Sequence, residues 1–123
     1  MQEIKWKPAA TEKDIAAAKE YLTLVFKPQD VDAAIGKLSK RRKIIEQFKA
    51  KDILRAAEMQ LLPETNEDVR DEFRKIVKRT PFVPIILVRK GHRLFIADGY
   101  HRTCAAYYLN KDSEVHCVLA GIE

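Results

Sequence analysis

Residues 94–106 read LFIADGYHRTCAA, and the sequence pattern changes in the middle of this stretch. The apolar run Leu94–Ala97 predicts a strand, whereas the small residues from Thr103 onward predict a helix. Between them stands the polar order Asp98-Gly99-Tyr100-His101-Arg102. Backbone N–H groups and the positive end of the helix dipole make such a strand-to-helix turn a natural binding position for phosphate. The turn is therefore the candidate functional site.

Each residue type in this turn fits that chemistry. Gly99 lets the backbone turn sharply and approach a ligand, and Thr103 offers a hydroxyl in the first helical turn. Arg102 supplies a planar fork of donors for two phosphate oxygens. His101 can donate to a phosphate or move a proton near neutral pH, and Asp98 can accept a proton or hold a hydrated Mg²⁺. The alternative is an ordinary Asp-Gly turn in which His101 caps the helix and Arg102 pairs with an acidic neighbour; both interpretations stay open.

The C-terminal half predicts a small sheet. A continuous aliphatic run predicts a buried strand, a glycine-containing turn predicts a hairpin, and a helix and a third strand follow. These elements are Pro84–Val88, the turn Lys90-Gly91-His92, Leu94–Ala97, the helix Thr103–Leu109 and the strand Val115–Leu119.

The N-terminal half predicts helices. Thr11-Glu12-Lys13-Asp14 has the form of a capping box, and the helix it begins ends before Pro28, which can open the next one. Helical spacing then continues through Leu38 and resumes at Ile45 and Phe48, as one long helix or two shorter ones.

Two further segments precede the sheet. The stretch from Asp52 to Leu62 is ambiguous, although its Ala and Leu content favours helix. Asn66 or Thr65 is placed to cap a helix that runs from Glu67 to Val77, with acids in its first turn and bases in its last.

The chain therefore predicts an α+β fold, with N-terminal helices packed on a small mixed sheet. We expect a helical region over residues 1–50 and a sheet-containing domain over residues 51–123, joined as one compact unit. The N-terminal helices could cover the sheet, close over a ligand or form a homodimer interface, and the sequence does not choose between these roles.

Composition narrows the classes of protein. The chain has 123 residues, 46% of them hydrophobic, and a net charge of +5, which fits one globular domain with a modest attraction for polyanions. Its start lacks the apolar segment of a signal peptide and no run approaches a membrane span, so we expect a cytoplasmic protein without a membrane partner. Cys104 and Cys117 lack metal-site spacing and are expected to be buried thiols.

The densest basic run is Lys40-Arg41-Arg42-Lys43. It could contact nucleic acid by neutralising phosphates, or it could be a solvated helix face. No aromatic residues interleave with it, which argues against stacking on single strands. The three histidines are scattered, so no metal site is predicted.

The segment from about Leu62 to Leu119 resembles the ParB/sulfiredoxin superfamily. The resemblance rests on the strand Pro84–Val88, the hairpin, the turn Ile96–Arg102, the alanine-rich helix and the closing strand. It implies a sulfiredoxin-like fold in which the turn and the following helix N-terminus hold nucleotide phosphates. Gly99, His101, Arg102 and Thr103 inherit that phosphate-binding assignment.

The branches of the superfamily differ at this turn. Tyr100 stands where sulfiredoxins have their nucleophilic cysteine, which argues against sulfinic-acid repair. The Gly-Glu-Arg-Arg of chromosome-partitioning ParB proteins is absent, which argues against a CTP-switched clamp. The form Asp-Gly-x-His-Arg is closest to the ADP-dependent free-serine kinase. That likeness implies Asp98 as the base and His101 and Arg102 as the ligands of the transferred phosphate. It also implies an earlier glutamate, for which Glu64 or Glu67 is a candidate.

Three functions are open at this point. The first is a nucleotide-binding ParB-like domain for ATP, ADP or CTP with Mg²⁺, whose activity would be phosphotransfer or hydrolysis. The second is a DNA-associated protein without catalysis, with Lys40, Arg41, Arg42 and Lys43 as contacts. The third is an interaction module on the same scaffold. Whether the chain is an enzyme is left undecided.

Overall fold

The computed structural model describes residues 2–123, which form five helices and a four-stranded mixed sheet. In chain order the elements are α1 (Glu12–Val25), α2 (Pro28–Lys40), β1 (Glu46–Lys49), α3 (Ala50–Ala56), α4 (Glu67–Val77), β2 (Ile85–Lys90), β3 (Arg93–Asp98), α5 (Tyr100–Leu109) and β4 (Glu114–Ile122). The predicted α+β class and mixed sheet are confirmed.

The sheet has the strand order β1-β4-β2-β3. The two central strands, β4 and β2, run parallel, while β1 and β3 pair antiparallel at the edges. Alternate residues of the central strands face opposite sides, so β2 is buried on both faces from Ile85 to Val88. This two-sided burial explains the continuous aliphatic run in the sequence.

A helical layer covers each face of the sheet. α1 and α2 pack on one face through Ile15, Leu22, Val31 and Leu38, and α3, α4 and α5 pack on the other. Of the roles left open for the N-terminal helices, the structure therefore shows them covering the sheet.

The predicted helix starts are confirmed at three places. Thr11 and Asp14 form a reciprocal capping box, with the Thr11 Oγ1 accepting from the Asp14 N–H at 3.2 Å. Pro28 occupies the first turn of α2, and the Asn66 side chain accepts from the Val69 N–H at 3.1 Å to cap α4. Local capping chemistry is strong enough to set these boundaries.

The expected continuation of helix through Ile45 and Phe48 is wrong. α2 ends at Lys40, and Glu46–Lys49 pairs with β4 as an edge strand. The apolar spacing at Ile45 and Phe48 matched a helix by coincidence, and pairing with β4 overrides it. One strand of the sheet, β1, therefore lies within residues 1–50, the region predicted to be helical.

The described residues contain no helix that is long and apolar enough to cross a membrane. Both cysteines are free and buried, as expected.

Candidate functional site

The candidate site lies where β3 passes into α5. Gly99 is the N-cap residue of α5 and adopts φ 108°, a left-handed conformation that favours glycine. A Cβ at this position would overlap the Ile85 side chain on β2. Glycine is therefore required both by the backbone angle and by the close approach of the turn to the sheet.

The first turn of α5 presents backbone donors. Within residues 2–123 no side chain caps this helix. The first N–H groups of any α-helix lack intrahelical acceptors, so those of Tyr100, His101 and Arg102 are free of a capping side chain. Together with the helix dipole, these amides make a local positive potential at the turn.

The Arg102 side chain points inward. Its guanidinium donates to the Asp98 carboxylate at 2.8 Å and to the Val83 carbonyl at 2.5 Å, and the residue is only 9% exposed. This geometry differs from the expected fork that grips two phosphate oxygens, because two of the donors are already used inside the protein. In this structure Arg102 ties the turn to the segment before β2.

Thr103 also turns inward. Its hydroxyl donates to the Gly99 carbonyl at 2.9 Å, and the residue is fully buried. The expected role of this hydroxyl as a phosphate ligand is thus replaced by a bond that steadies the first turn of α5.

Asp98 sits at the base of the turn, with a side chain 25% exposed. Burial raises its pKa, the charge and hydrogen bond of Arg102 oppose that shift, and the nearby charges of Asp14 and Glu72 add to it. A carboxyl whose pKa is raised is a stronger proton acceptor when ionised. Asp98, the residue expected to act as a base, therefore lies at the turn and is paired with Arg102.

His101 is the accessible side chain of the turn. It is 42% exposed, and its Nε2 lies 3.7 Å from a carboxylate oxygen of Asp68 on α4. Tyr100 next to it donates its hydroxyl to the Gln60 carbonyl, which ties the start of α5 to the loop after α3. The His101 side chain is therefore accessible, whereas the Tyr100 ring is held in place by its hydrogen bond.

A groove of about 270 Å³ runs from these amides along the free edge of β3. β3 is an edge strand, which pairs with β2 on one side only, and its residues Arg93–Asp98 line the groove. Tyr21 of α1 and Met59 lie on its walls, and Arg93 stands at the end away from His101. The helix N-terminus therefore opens into a cleft that combines apolar side chains with the cationic Arg93 and the acidic Asp98.

Glu64 does not belong to this groove. It lines a separate cavity with Phe73 and Tyr108, and Glu67 is exposed at the start of α4. The carboxylates that approach the turn are instead Asp68 and Glu72. Asp68 and Glu72 stand four residues apart on α4, a spacing that places them on one helix face. This spacing is the signal in the sequence that indicates a pair of carboxylates on that face.

The two carboxylate oxygens of Glu72 have different environments. Its Oε1 accepts from the Lys75 ammonium at 3.2 Å, while Oε2 is buried and, across residues 2–123, without a hydrogen-bond partner. A buried oxygen without a partner is costly. The described chain nevertheless contains no group of three His, Cys, Asp or Glu residues that could hold a metal ion.

The four residues of the basic run Lys40–Lys43 have two different environments. The Arg41 Nε donates to the Leu119 carbonyl at 2.8 Å, and Arg42 donates to the Ala10 carbonyl at 3.1 Å. These two side chains fasten the end of α2 to neighbouring backbone, whereas Lys40 and Lys43 are exposed. Only part of the run is therefore free to meet an external anion.

Comparison of the chain with protein-family models, curated proteins and solved structures found no match. Membership of the ParB/sulfiredoxin superfamily accordingly stays a prediction from the sequence of the segment from about Leu62 to Leu119.

Proposed function

We propose that this protein binds the phosphate group of a nucleotide at the N-terminus of α5. The observation that carries the proposal is the uncapped first turn of α5, which follows a left-handed glycine and opens into the groove along β3. Backbone amides aimed at one point recognise phosphate without any arginine. The inward position of Arg102 is therefore compatible with binding.

Each group then has a distinct role. The amides of the first turn and the His101 imidazole contact the phosphate, while Arg102 is a positioning residue that holds the turn. Tyr21 and Met59 contact the base or ribose through their apolar surfaces. Mg²⁺ is commonly held by the phosphates of a substrate together with one or two carboxylates of the protein. The carboxylates near the turn could hold Mg²⁺ only in this way, with the phosphates of the bound nucleotide as its other ligands.

Phosphoryl transfer would extend this binding function. Asp98 is the side chain placed to accept a proton from an attacking hydroxyl, since burial raises its pKa. Its second oxygen makes no hydrogen bond in the described part of the chain, so that oxygen is the atom that would take the proton. Binding itself does not depend on this step.

Calorimetric titration with ADP, ATP and CTP, each with Mg²⁺, tests the proposal. We expect at least one nucleotide to bind, and His101→Glu to abolish that binding. The charge of a glutamate at this position repels phosphate. The helix dipole favours that charge whereas the nearby Asp68 carboxylate opposes it, so circular dichroism of the variant checks that the fold is retained. His92→Glu is the matched control, because His92 is exposed in the β2–β3 turn and makes the same charge change elsewhere.

Two results would contradict this function. One is the absence of binding for all three nucleotides. The other is equal binding by the wild type and His101→Glu.

A second candidate function is polyanion binding, supported by a shallow groove of about 550 Å³. Lys37 and Lys40 line it from α2, Arg41 from the residue after α2 and Arg89 from β2, and Glu46 is its one acid. The Lys37 ammonium is positioned by the Gly121 carbonyl at 2.6 Å. Clustered cations favour phosphate backbones through counterion release.

Gel shifts with duplex DNA across a salt series separate this candidate from the first. The double variant Lys40→Glu with Arg89→Glu should abolish the shift, because neither side chain makes a hydrogen bond within residues 2–123. Lys5→Glu with Lys111→Glu is the control of equal charge at the opposite end of β4. Equal loss in both double variants would assign the effect to net charge alone and reject the groove.

A further inference from the structure

A second cavity lies between α4 and the C-terminal part of α5, away from the turn at residues 98–103. It measures about 320 Å³ and is lined by Glu64, Val69, Arg70, Phe73, Arg74 and Tyr108. None of these residues lines the groove along β3. Small-molecule sites begin at roughly 300 Å³ and are mostly apolar, with a few polar groups, so this cavity has the size of a site for a small ligand.

The apolar walls are held in place. Val69 is buried, and Phe73 and Tyr108 pack against the core while leaving one side open to the cavity. The Tyr108 hydroxyl donates to the Leu62 carbonyl at 2.6 Å, which fixes the orientation of the ring. Two preorganised aromatic rings favour a flat, apolar ligand, since little side-chain freedom is lost on binding.

The guanidinium at the mouth of this cavity, that of Arg70, has no partner within residues 2–123. Arg70 is exposed, and its guanidinium makes no hydrogen bond or ion pair within residues 2–123. Arg74, one turn along α4, is instead paired with Asp71 at 2.6 Å. An unpaired guanidinium beside an aromatic cavity matches a carboxylate, to which arginine binds through two parallel hydrogen bonds.

We infer that this cavity is a binding site for a small aromatic carboxylate. The ring of the ligand lies against Phe73 and Tyr108, and its carboxylate accepts from the Arg70 guanidinium. Glu64 stands on the same rim and disfavours ligands with a second negative charge. The inferred ligand class is therefore a monoanion with one or two fused rings.

Nuclear magnetic resonance titration of the full chain with 2-naphthoate tests the inference. We expect amide shift changes confined to α4 and to the residues around Tyr108. The neutral isostere 2-naphthamide and the variant Arg70→Gln should each weaken binding by roughly tenfold or more, as expected for loss of a charge-assisted contact. Arg55→Gln is the matched control, since Arg55 is exposed on α3.

Three results would overturn the inference: no shift changes with 2-naphthoate, equal affinity for 2-naphthoate and 2-naphthamide, or unchanged affinity in Arg70→Gln. Arg70 is exposed and unpaired, so its replacement tests binding without disturbing the fold.

Discussion

Arg102 and Asp98 form an ion pair across one turn at the start of α5, with 2.8 Å between the guanidinium Nη2 and the carboxylate Oδ2. The same guanidinium bonds the Val83 carbonyl. One side chain thus joins the end of β3, the start of α5 and the segment before β2. This inward pairing makes Arg102 a structural support for the turn.

Replacing Arg102 by alanine should destabilise the protein substantially. The change leaves Asp98 half-buried without its partner and the Val83 carbonyl without its donor, and breaking a buried pair costs about 3 kcal/mol. Urea denaturation followed by circular dichroism measures this loss. Arg74→Ala is the control, because the Arg74–Asp71 pair is more than half exposed and such pairs contribute about 0–1 kcal/mol. Similar losses in both variants would contradict the supporting role of Arg102.

Gly99→Ala should also destabilise the fold. The left-handed angle of this residue and the overlap of a Cβ with Ile85 both oppose a side chain, at a cost of about 2 kcal/mol or more. Gly36→Ala should have the opposite effect. Gly36 lies inside α2 with open space around it, and alanine is favoured in a helix by about 1 kcal/mol. Thermal unfolding of both variants checks the predicted difference in sign.

The sequence predicted elements whose signals are local. Thr11, Pro28 and Asn66 mark helix starts through their own side chains, and the run at Ile85–Val88 reflects burial on both faces. The sequence did not predict β1, because its partner strand β4 lies far along the chain. Short edge strands depend on such pairing rather than on their own residues.

The sequence predicted where the candidate site lies in the fold, but not how its side chains are arranged. The turn at residues 98–103 does join a strand to a helix N-terminus. The inward direction of Arg102 could not be predicted, because the Val83 carbonyl that holds it is 19 residues away. Order in the sequence favours Glu64 as the acidic partner of the turn, whereas packing of α4 against α5 brings Asp68 toward His101.

Both cysteines should resist alkylation in the folded protein. Cys104 and Cys117 are fully buried, and burial raises the pKa of the Cys117 thiol to about 12. The thiolate is the reactive form, so iodoacetamide at pH 8 should modify neither residue until urea unfolds the chain. Mass spectrometry with and without urea measures the modification. Labelling in the absence of urea would show that the core opens far more readily than its packing indicates.

Folding stability should rise with pH through the range just below 6.5 because of His116. Burial lowers the pKa of this imidazole below 6.5, and the ring stacks on Trp6 with 4.9 Å between centroids. As pH falls, the unfolded chain takes up the proton first, so the free energy of unfolding decreases. The difference in urea midpoint between pH 5.0 and 7.5, compared for wild type and His116→Gln, isolates this contribution. An identical difference in both proteins would reject it.

The most direct test of the phosphate site follows the backbone amides of Tyr100, His101 and Arg102 by ¹⁵N-resolved resonance spectra during titration with ATP and Mg²⁺. Amides that donate to phosphate should shift downfield together and saturate with one affinity, before any other part of the chain responds. If these three resonances stay unchanged in titrations with ATP and, equally, with ADP and CTP, the N-terminus of α5 does not bind phosphate and the proposed function is wrong.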